Sequence, residues 1–386
     1  MAKLTSRLQQ LRVLREQGGL SFSGSRESGG KAGAPATVRW RGWDEAAPFV
    51  WRRRTELALE TVIPPLPGLF LSGPDDIDDL MFYDFETTGL SGGAGTLIFL
   101  AGFGILQRNS IQIEQLFLTD YPGEADFLRE ISELLNPQRL YVSYNGKSFD
   151  RNILLNRYRL NRMEPPDIPR QLDLLYPSRA LWRMSLENCS LGRIEGDVLG
   201  IEREADIPGV LIPQCYQDFL RGRDEGCIHR VVAHHLQDIV SLAYLLFLIE
   251  NAASDPHILG HAEARTGMGL LLLRNGDPRG IAVLEEELAA GSERAGVGLA
   301  GHYKRSGSHD DLYRVLKRML QLRPGYFQAE EMAKLQEHRH GQPEEALRTI
   351  EDLMRNRMVF TAGQKASLMH RRRRLMEKAA KRKSSE

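Results

Sequence analysis

The chain has 386 residues with 51 basic and 51 acidic side chains, so its formal net charge is zero; it is long enough for two domains, and bulk charge does not drive it onto nucleic acid. Its three cysteines, an odd number with no CxxC pair, do not suggest a disulfide framework, and the spacing of Cys227, His229, His234 and His235 matches no familiar zinc site, so reduced thiols in a cytoplasmic protein are the expectation. The N-terminal Met-Ala-Lys-Leu-Thr-Ser-Arg-Leu lacks a signal-peptide core, and the apolar run 239–249 reads as too short to span a bilayer, so no membrane partner is expected.

In chain order, residues 4–15 read as a short amphipathic helix and 18–37 as a Gly/Ser-rich linker. Trp40, Trp43 and Trp51 follow, better suited to packing than to stacking on bases, then Pro64-Pro65-Leu66-Pro67-Gly68. Residues 80–86 form a strand in which Asp84 and Glu86, two apart, emerge on the same face. Segments 96–107 and 111–118 form a hairpin turned at Asn109-Ser110, and a helix over 124–135 stops at Asn136-Pro137. A strand at Leu140 leads to the turn Asn145-Gly146, Ser148 as a helix cap, and a helix from Phe149 that buries Ile153, Leu154, Leu155 and Tyr158. Asp150 falls in its first turn. His234 and Asp238, four apart, share one face of a long apolar helix running through Ile249.

Like-charged carboxylates side by side repel unless a cation lies between them, and oxygen ligands suit Mg²⁺ or Mn²⁺. Taken singly, each acid has a bland reading: an exposed strand end, a helix cap or a solvated helix face. Together they form a pattern. With Asp-Phe-Glu-Thr-Thr-Gly-Leu-Ser-Gly-Gly-Ala-Gly-Thr (84–96), Tyr-Asn-Gly-Lys-Ser-Phe-Asp (144–150), Leu172-Asp173-Leu174-Leu175, Asn188-Cys189-Ser190-Leu191 and Ile207-Pro208-Gly209, the chain resembles the DEDD exonuclease superfamily, and within it bacterial YprB-type ribonuclease H-like proteins. The resemblance covers about 80–249.

The resemblance implies an α/β ribonuclease H-like fold, a mixed five-stranded sheet flanked by helices, and phosphodiester hydrolysis with two Mg²⁺ or Mn²⁺ ions. It implies metal ligands Asp84, Glu86, Asp150 and Asp238: Asp84 bridging, Glu86 and Asp238 completing the site of the water-activating ion, and Asp150 holding the second through a water. His234 would be the general base, an imidazole titrating near ~6.5 being suited to that task. Here the chain departs from the commonest histidine-bearing members, where the histidine lies five residues before the last aspartate rather than four, so His235 is the alternative base. Thr87, Gly89 and Leu90 after the first strand, and Asn145, Lys147 and Phe149 around the second motif, are the expected substrate contacts.

Other residues leave two readings open. Gly92, Gly93 and Gly95 could admit a nucleotide backbone or a tight hairpin entry. Asp173 could support the metal site or cap a turn. Arg179, Trp182 and Arg183 could contact nucleic acid or form a structural helix.

Beyond Ala252 the texture becomes helical, with Gly276, Gly307 and Gly341 spaced 31 and 34 residues apart, close to a tetratricopeptide period. An all-α helical-hairpin repeat domain that presents a face to a protein, or a plain bundle, is expected. The arginine run 371–374 and Lys378, Lys381, Arg382 and Lys383 make a basic end that could track phosphates or stay solvated. The expected divisions are a lead-in (1–78), the nuclease domain (79–252), the helical domain (253–360) and a basic helix or tail (361–386). The expectation is a metal-dependent 3′-5′ exonuclease acting on DNA or RNA, single-stranded or at a 3′ end. The alternatives are a catalytically silent scaffold binding nucleic acid or protein, and an endonuclease on structured substrates.

Overall fold

Runs of apolar residues, several of them alternating with polar ones, organise the first part of the chain into one mixed sheet. The computed structural model describes residues 40–59, 68–89, 95–107, 110–201, 207–356 and 359–383. The expected helix at 4–15, the linker at 18–37, the prolines at 64, 65 and 67, Leu90, Gly92, Gly93 and Asn109 lie outside them. The chain divides into two units, one ending at Ile258 and one beginning at Leu259.

The first unit contains strands β1 (Asp44–Ala47), β2 (Val50–Ala58), β3 (Leu80–Thr87), β4 (Ile98–Gln107), β5 (Ser110–Leu118), β6 (Leu140–Ser143) and β7 (Gln171–Asp173). Their order is β1-β2-β5-β4-β3-β6-β7. β3, β6 and β7 are parallel, the other pairs antiparallel. Seven strands stand where five were expected. The segment read as a lead-in supplies β1 and β2, which extend the sheet from β5. Trp40 stacks on Phe117 with ring centroids 4.9 Å apart, and both Trp40 and Trp43 are buried. Met81, Phe82, Tyr83 and Phe85 of β3 are buried on both faces, as a central strand requires.

The helices of this unit are α1 (Pro74–Asp78), α2 (Glu124–Leu134), α3 (Asp150–Leu160), α4 (Leu175–Trp182), α5 (Leu191–Ile194), α6 (Ile212–Leu220) and α7 (Glu225–Ser254). α7 corrects one expectation. It runs for 30 residues and is long and apolar enough to cross a membrane by length and composition. It packs instead on β3, β4 and β5, most of its residues buried, and its buried Glu250 accepts backbone N–H bonds from Leu69 (2.9 Å) and Phe70 (3.0 Å). A second correction concerns thiols: Cys215 on α6 is joined to Cys227 in the first turn of α7, their Cα atoms 5.4 Å apart, leaving Cys189 free. Packing of α6 on α7 brings them together, which sequence spacing does not reveal.

The second unit is a succession of helices: α8 (Ala262–Arg274), α9 (Arg279–Ala289), α10 (Glu293–Ser306), α11 (His309–Leu322), α12 (Tyr326–His338), α13 (Pro343–Arg355) and α14 (Ala362–Lys383). Each packs on the next. Gly276, Gly307 and Gly341 lie in the turns α8–α9, α10–α11 and α12–α13 with φ of 78°, 74° and 65°, a region open to glycine. The basic end is mostly the helix α14, which buries Leu368, Leu375 and Ala379. Arg371, Arg374 and Lys378 surround the buried carboxylate of Glu337.

Candidate metal centre at the carboxyl ends of the parallel strands

Because β3, β6 and β7 run parallel, their carboxyl ends open on one edge of the sheet, where open α/β sheets build their sites. Asp84 and Glu86 stand near the end of β3, both half-buried between fully buried neighbours. Asp150 is the first residue of α3, reached from β6 through the turn 144–149. α7 crosses the sheet and brings His234, His235 and Asp238.

His234 and Asp238 lie on the less enclosed side of that crossing, with 13% and 11% of their side chains exposed. His234 Nε2 lies 3.3 Å from Asp238 Oδ2. Donor atoms of Glu86, His234 and Asp238 all lie within 4.8 Å of one another, a separation compatible with one shared ion.

His235 has a different task. The register sets Asp84 opposite Gly102, and Gly102 opposite Gln115, a row across three strands. Gly102 carries no side chain, and the His235 ring fills the space: a Cβ there would fall 2.3 Å from His235 Cε1 and 2.3 Å from Ile239 Cδ1. The Gln115 amide donates to His235 Nδ1 (3.0 Å) and to Val232 O (3.1 Å). This fixes the neutral tautomer with the proton on Nε2, which donates to the Asp84 carbonyl oxygen (2.9 Å). Burial pushes the ring down to about 4, opposed by its bond to Asp84. His235, the alternative base, is thus fully enclosed, and both its nitrogens are engaged. Gln115 and Gly102 were missed by the sequence reading. A buried glutamine and a Gly-x-Gly step inside an apolar strand were the available signals.

Asp150 is buried, and burial holds its carboxyl well above the usual carboxylate range, reinforced by the charges of Asp84 and Asp173. Asp173, at the end of β7, resolves toward the turn: its Oδ1 accepts from Asn145 N (2.7 Å) and Leu175 N (3.0 Å). Asn145 itself has φ of 67°, a left-handed position that asparagine tolerates. Ser148 does not cap α3, whose N-cap is Phe149 without a side-chain bond; its hydroxyl lies 3.2 Å from Tyr176 Oη.

The expected substrate contacts divide. Thr87 is buried and its hydroxyl donates to Gly89 O (2.8 Å). Phe149 packs against the core, whereas Asn145 and Lys147 are exposed. Trp182 is a core residue, not a base-stacking surface.

The donor set fits a hard divalent cation. Carboxylate oxygens are the ligands such ions take, and the Asp150 carboxyl, raised first by burial and then by the charges of Asp84 and Asp173, would be relieved by a cation beside it.

Fold and site define a ribonuclease H-like protein with a carboxylate centre. Residues 81–249 match the RNase_H_2 family model of the RNase_H superfamily. Over 284 residues the chain is 30% identical to the uncharacterized protein YprB of Bacillus subtilis (strain 168), covering 71% of this chain and 68% of that relative. The chain belongs to that family. Among solved structures it is similar to Escherichia coli exonuclease I in a metal-free complex with single-stranded DNA, with TM-score 0.31 and 16% identity over 48% of this chain and 42% of that one. It is similar also to exonuclease I of Methylocaldum szegediense, with TM-score 0.30 and 16% identity over 50% and 45%. The chain thus spans less than half the length of these exonucleases.

Proposed function

We propose that this protein hydrolyses phosphodiester bonds of nucleic acid with two divalent metal ions, as a 3′-5′ exonuclease. The observation that carries the proposal is the convergence at one sheet edge of Asp84, Glu86 and Asp150 with the His234–Asp238 pair of α7. Asp84, Glu86, Asp150 and Asp238 would hold Mg²⁺ or Mn²⁺. Ions bound there supply Lewis acidity, favouring deprotonation of the attacking water and neutralising charge on the leaving oxygen. His234 accepts the proton of that water, and Asp238, 3.3 Å away, stabilises the imidazolium that results. His235 holds the backbone of Asp84 and takes no proton. Thr87 and Gly89 shape the loop after β3, and Asn145 and Lys147 offer polar groups to the strand. In the second unit, the glycine turns 31 and 34 residues apart support a tetratricopeptide-like array that carries a protein-binding face.

The test uses single-stranded DNA and RNA labelled at the 5′ end, with Mn²⁺, Mg²⁺ or EDTA, beside Asp84→Asn. A ladder of shortened, still labelled products, absent with EDTA and in the variant, is expected. Release of labelled mononucleotide alone would reverse the polarity. Cutting of circular strands would make it an endonuclease. Binding without any cleavage would favour the silent scaffold.

A further inference from the structure

The surface just beyond the third parallel strand plays no part in the reaction described. Asp84 and Glu86 stand at the end of β3, Asp150 follows β6, and α4 begins directly after β7. With strands about 4.8 Å apart, α4 starts two strands, on the order of 10 Å, from the β3 carboxylates. α4 buries Leu175, Pro177, Ser178, Leu181 and Trp182. Its exposed positions are Tyr176 and Arg179, continued by Arg183 at its C-cap, hence i, i+3 and i+7 on one face.

This face is rigidly tied to the centre. Asp173 Oδ1 binds both Asn145 N and Leu175 N, clamping the turn that delivers Asp150 to the start of α4. Tyr176 Oη reaches Ser148 Oγ at 3.2 Å, so the ring is tethered yet 55% exposed. Among the described residues, Arg179, Arg183 and the nearby exposed Lys147 form no ion pair. By contrast Arg157, Arg170 and Arg193 of the same unit are paired with acids. A held aromatic ring open to water, flanked by free cations, complements a flexible polyanion whose bases have flat apolar faces.

We infer that the Tyr176–Arg179–Arg183 face of α4 is a binding platform for single-stranded nucleic acid, with Tyr176 stacking on a base and the two arginines on flanking phosphates. The inference rests on the nuclease reading of the neighbouring centre.

The experiment is fluorescence anisotropy of a short labelled oligonucleotide with the full-length protein, in EDTA so that nothing is cut, across a salt series. Tyr176→Ala is expected to weaken binding about tenfold without changing the salt dependence, and Tyr176→Phe to restore it. The double variant Arg179→Gln/Arg183→Gln is expected to reduce the slope of log K against log salt by about 1.4, from about 0.7 per lost phosphate contact on a single strand. DNA and RNA strands should respond alike, since neither contact reads the 2′-hydroxyl. All three changes are at exposed positions, and unchanged melting curves check the fold. Wild-type affinity and slope in both the Tyr176→Ala and the arginine variant would overturn the platform; if cleavage still depended on Asp84, the nuclease reading would stand without it. A loss in Tyr176→Phe equal to that in Tyr176→Ala would assign the effect to the Ser148 tether and overturn stacking. Absence of any oligonucleotide binding by the wild type would overturn the platform, while metal-dependent cleavage decides the nuclease reading separately.

Discussion

Gly102→Ala tests whether the row Asp84–Gly102–Gln115 holds the centre through His235. In a strand free of neighbours, alanine would be favoured over glycine by about 0.5–1 kcal/mol. Here the added methyl would fall 2.3 Å from both His235 Cε1 and Ile239 Cδ1, well inside van der Waals contact, so ring and helix must shift. Overpacking of this kind costs about 1–3 kcal/mol. The clash therefore outweighs the intrinsic gain, and the first unit is expected to lose roughly 1–2 kcal/mol. At about 2–4 °C per kcal/mol for a domain of this size, melting should fall by roughly 2–8 °C. Calorimetry of the metal-free protein reads this directly. A second readout follows: displacing the ring releases the Asp84 carbonyl, and loss of such outer partners weakens metal sites about 10- to 100-fold, measurable by Mn²⁺ titration. A double-mutant cycle with His235→Ala should return a coupling of about 0.5–3 kcal/mol, because the ring supplies half of the clash. Gly102→Ala that is neutral or stabilising, with unchanged Mn²⁺ affinity, would refute the reasoning.

The remaining predictions follow from the same centre and from the helical unit. Burial pushes His235 down to about 4 in the fold, against ~6.5 in the unfolded chain. The unfolded state binds the extra proton first, so its contribution is complete above ~6.5 and is lost as pH falls toward 4, by roughly 3 kcal/mol. Urea melts across that window should show this slope in the wild type and not in His235→Gln. Asp150 has the opposite sign: its raised carboxyl is a cost to the metal-free fold above the ordinary carboxylate range, relieved on acidification. Asp150→Asn should therefore raise the melting temperature of the metal-free protein at neutral pH while abolishing metal-dependent cleavage; a lower melting temperature would contradict it. Glu337→Ala should remove the shared buried partner of Arg371, Arg374 and Lys378; the cations it leaves can be solvated, so the cost is about 1–2 kcal/mol of lost charged hydrogen bonds, and limited proteolysis should cut first near α14.

What the sequence made legible was local. Alternation along 80–86 placed Asp84 and Glu86 on one face, and β3 carries both at half-burial. The hairpin 96–118 and the helix at 124 emerge close to their expected bounds because their signals are turns, prolines and period. The contributions of 44–58 were hidden because an edge hairpin with Arg52, Arg53 and Arg54 in its middle lacks a strand's apolar signature. Arg52 is accommodated through Glu114, Glu130 and Glu133, all distant in sequence. Cys215–Cys227 and the Ser148–Tyr176 contact were hidden for the same reason: they depend on which helices and turns meet, not on spacing within one segment.

The two adjacent histidines show how a single local step separates chemistry from scaffold. Successive residues of a helix point about 100° apart. Asp238 is four residues after His234, about 40° round, and three after His235, about 60° on the other side. Asp238 thus projects between the two rings, and the direction of the sheet decides their fates. The ring toward β4 and β5 is His235, sealed over Gly102 and held neutral by Gln115. The other, His234, keeps 13% of its side chain exposed, beside Asp238 and within reach of Glu86. A histidine five residues before the aspartate would point about 140° from it, so the four-residue spacing is what allows His234 and Asp238 to share one face. The same turn that buries His235 therefore aims His234 at the carboxylates. The packing of α7 over Gly102 and Gly104 makes that division possible, since side chains at those strand positions would hold the helix away.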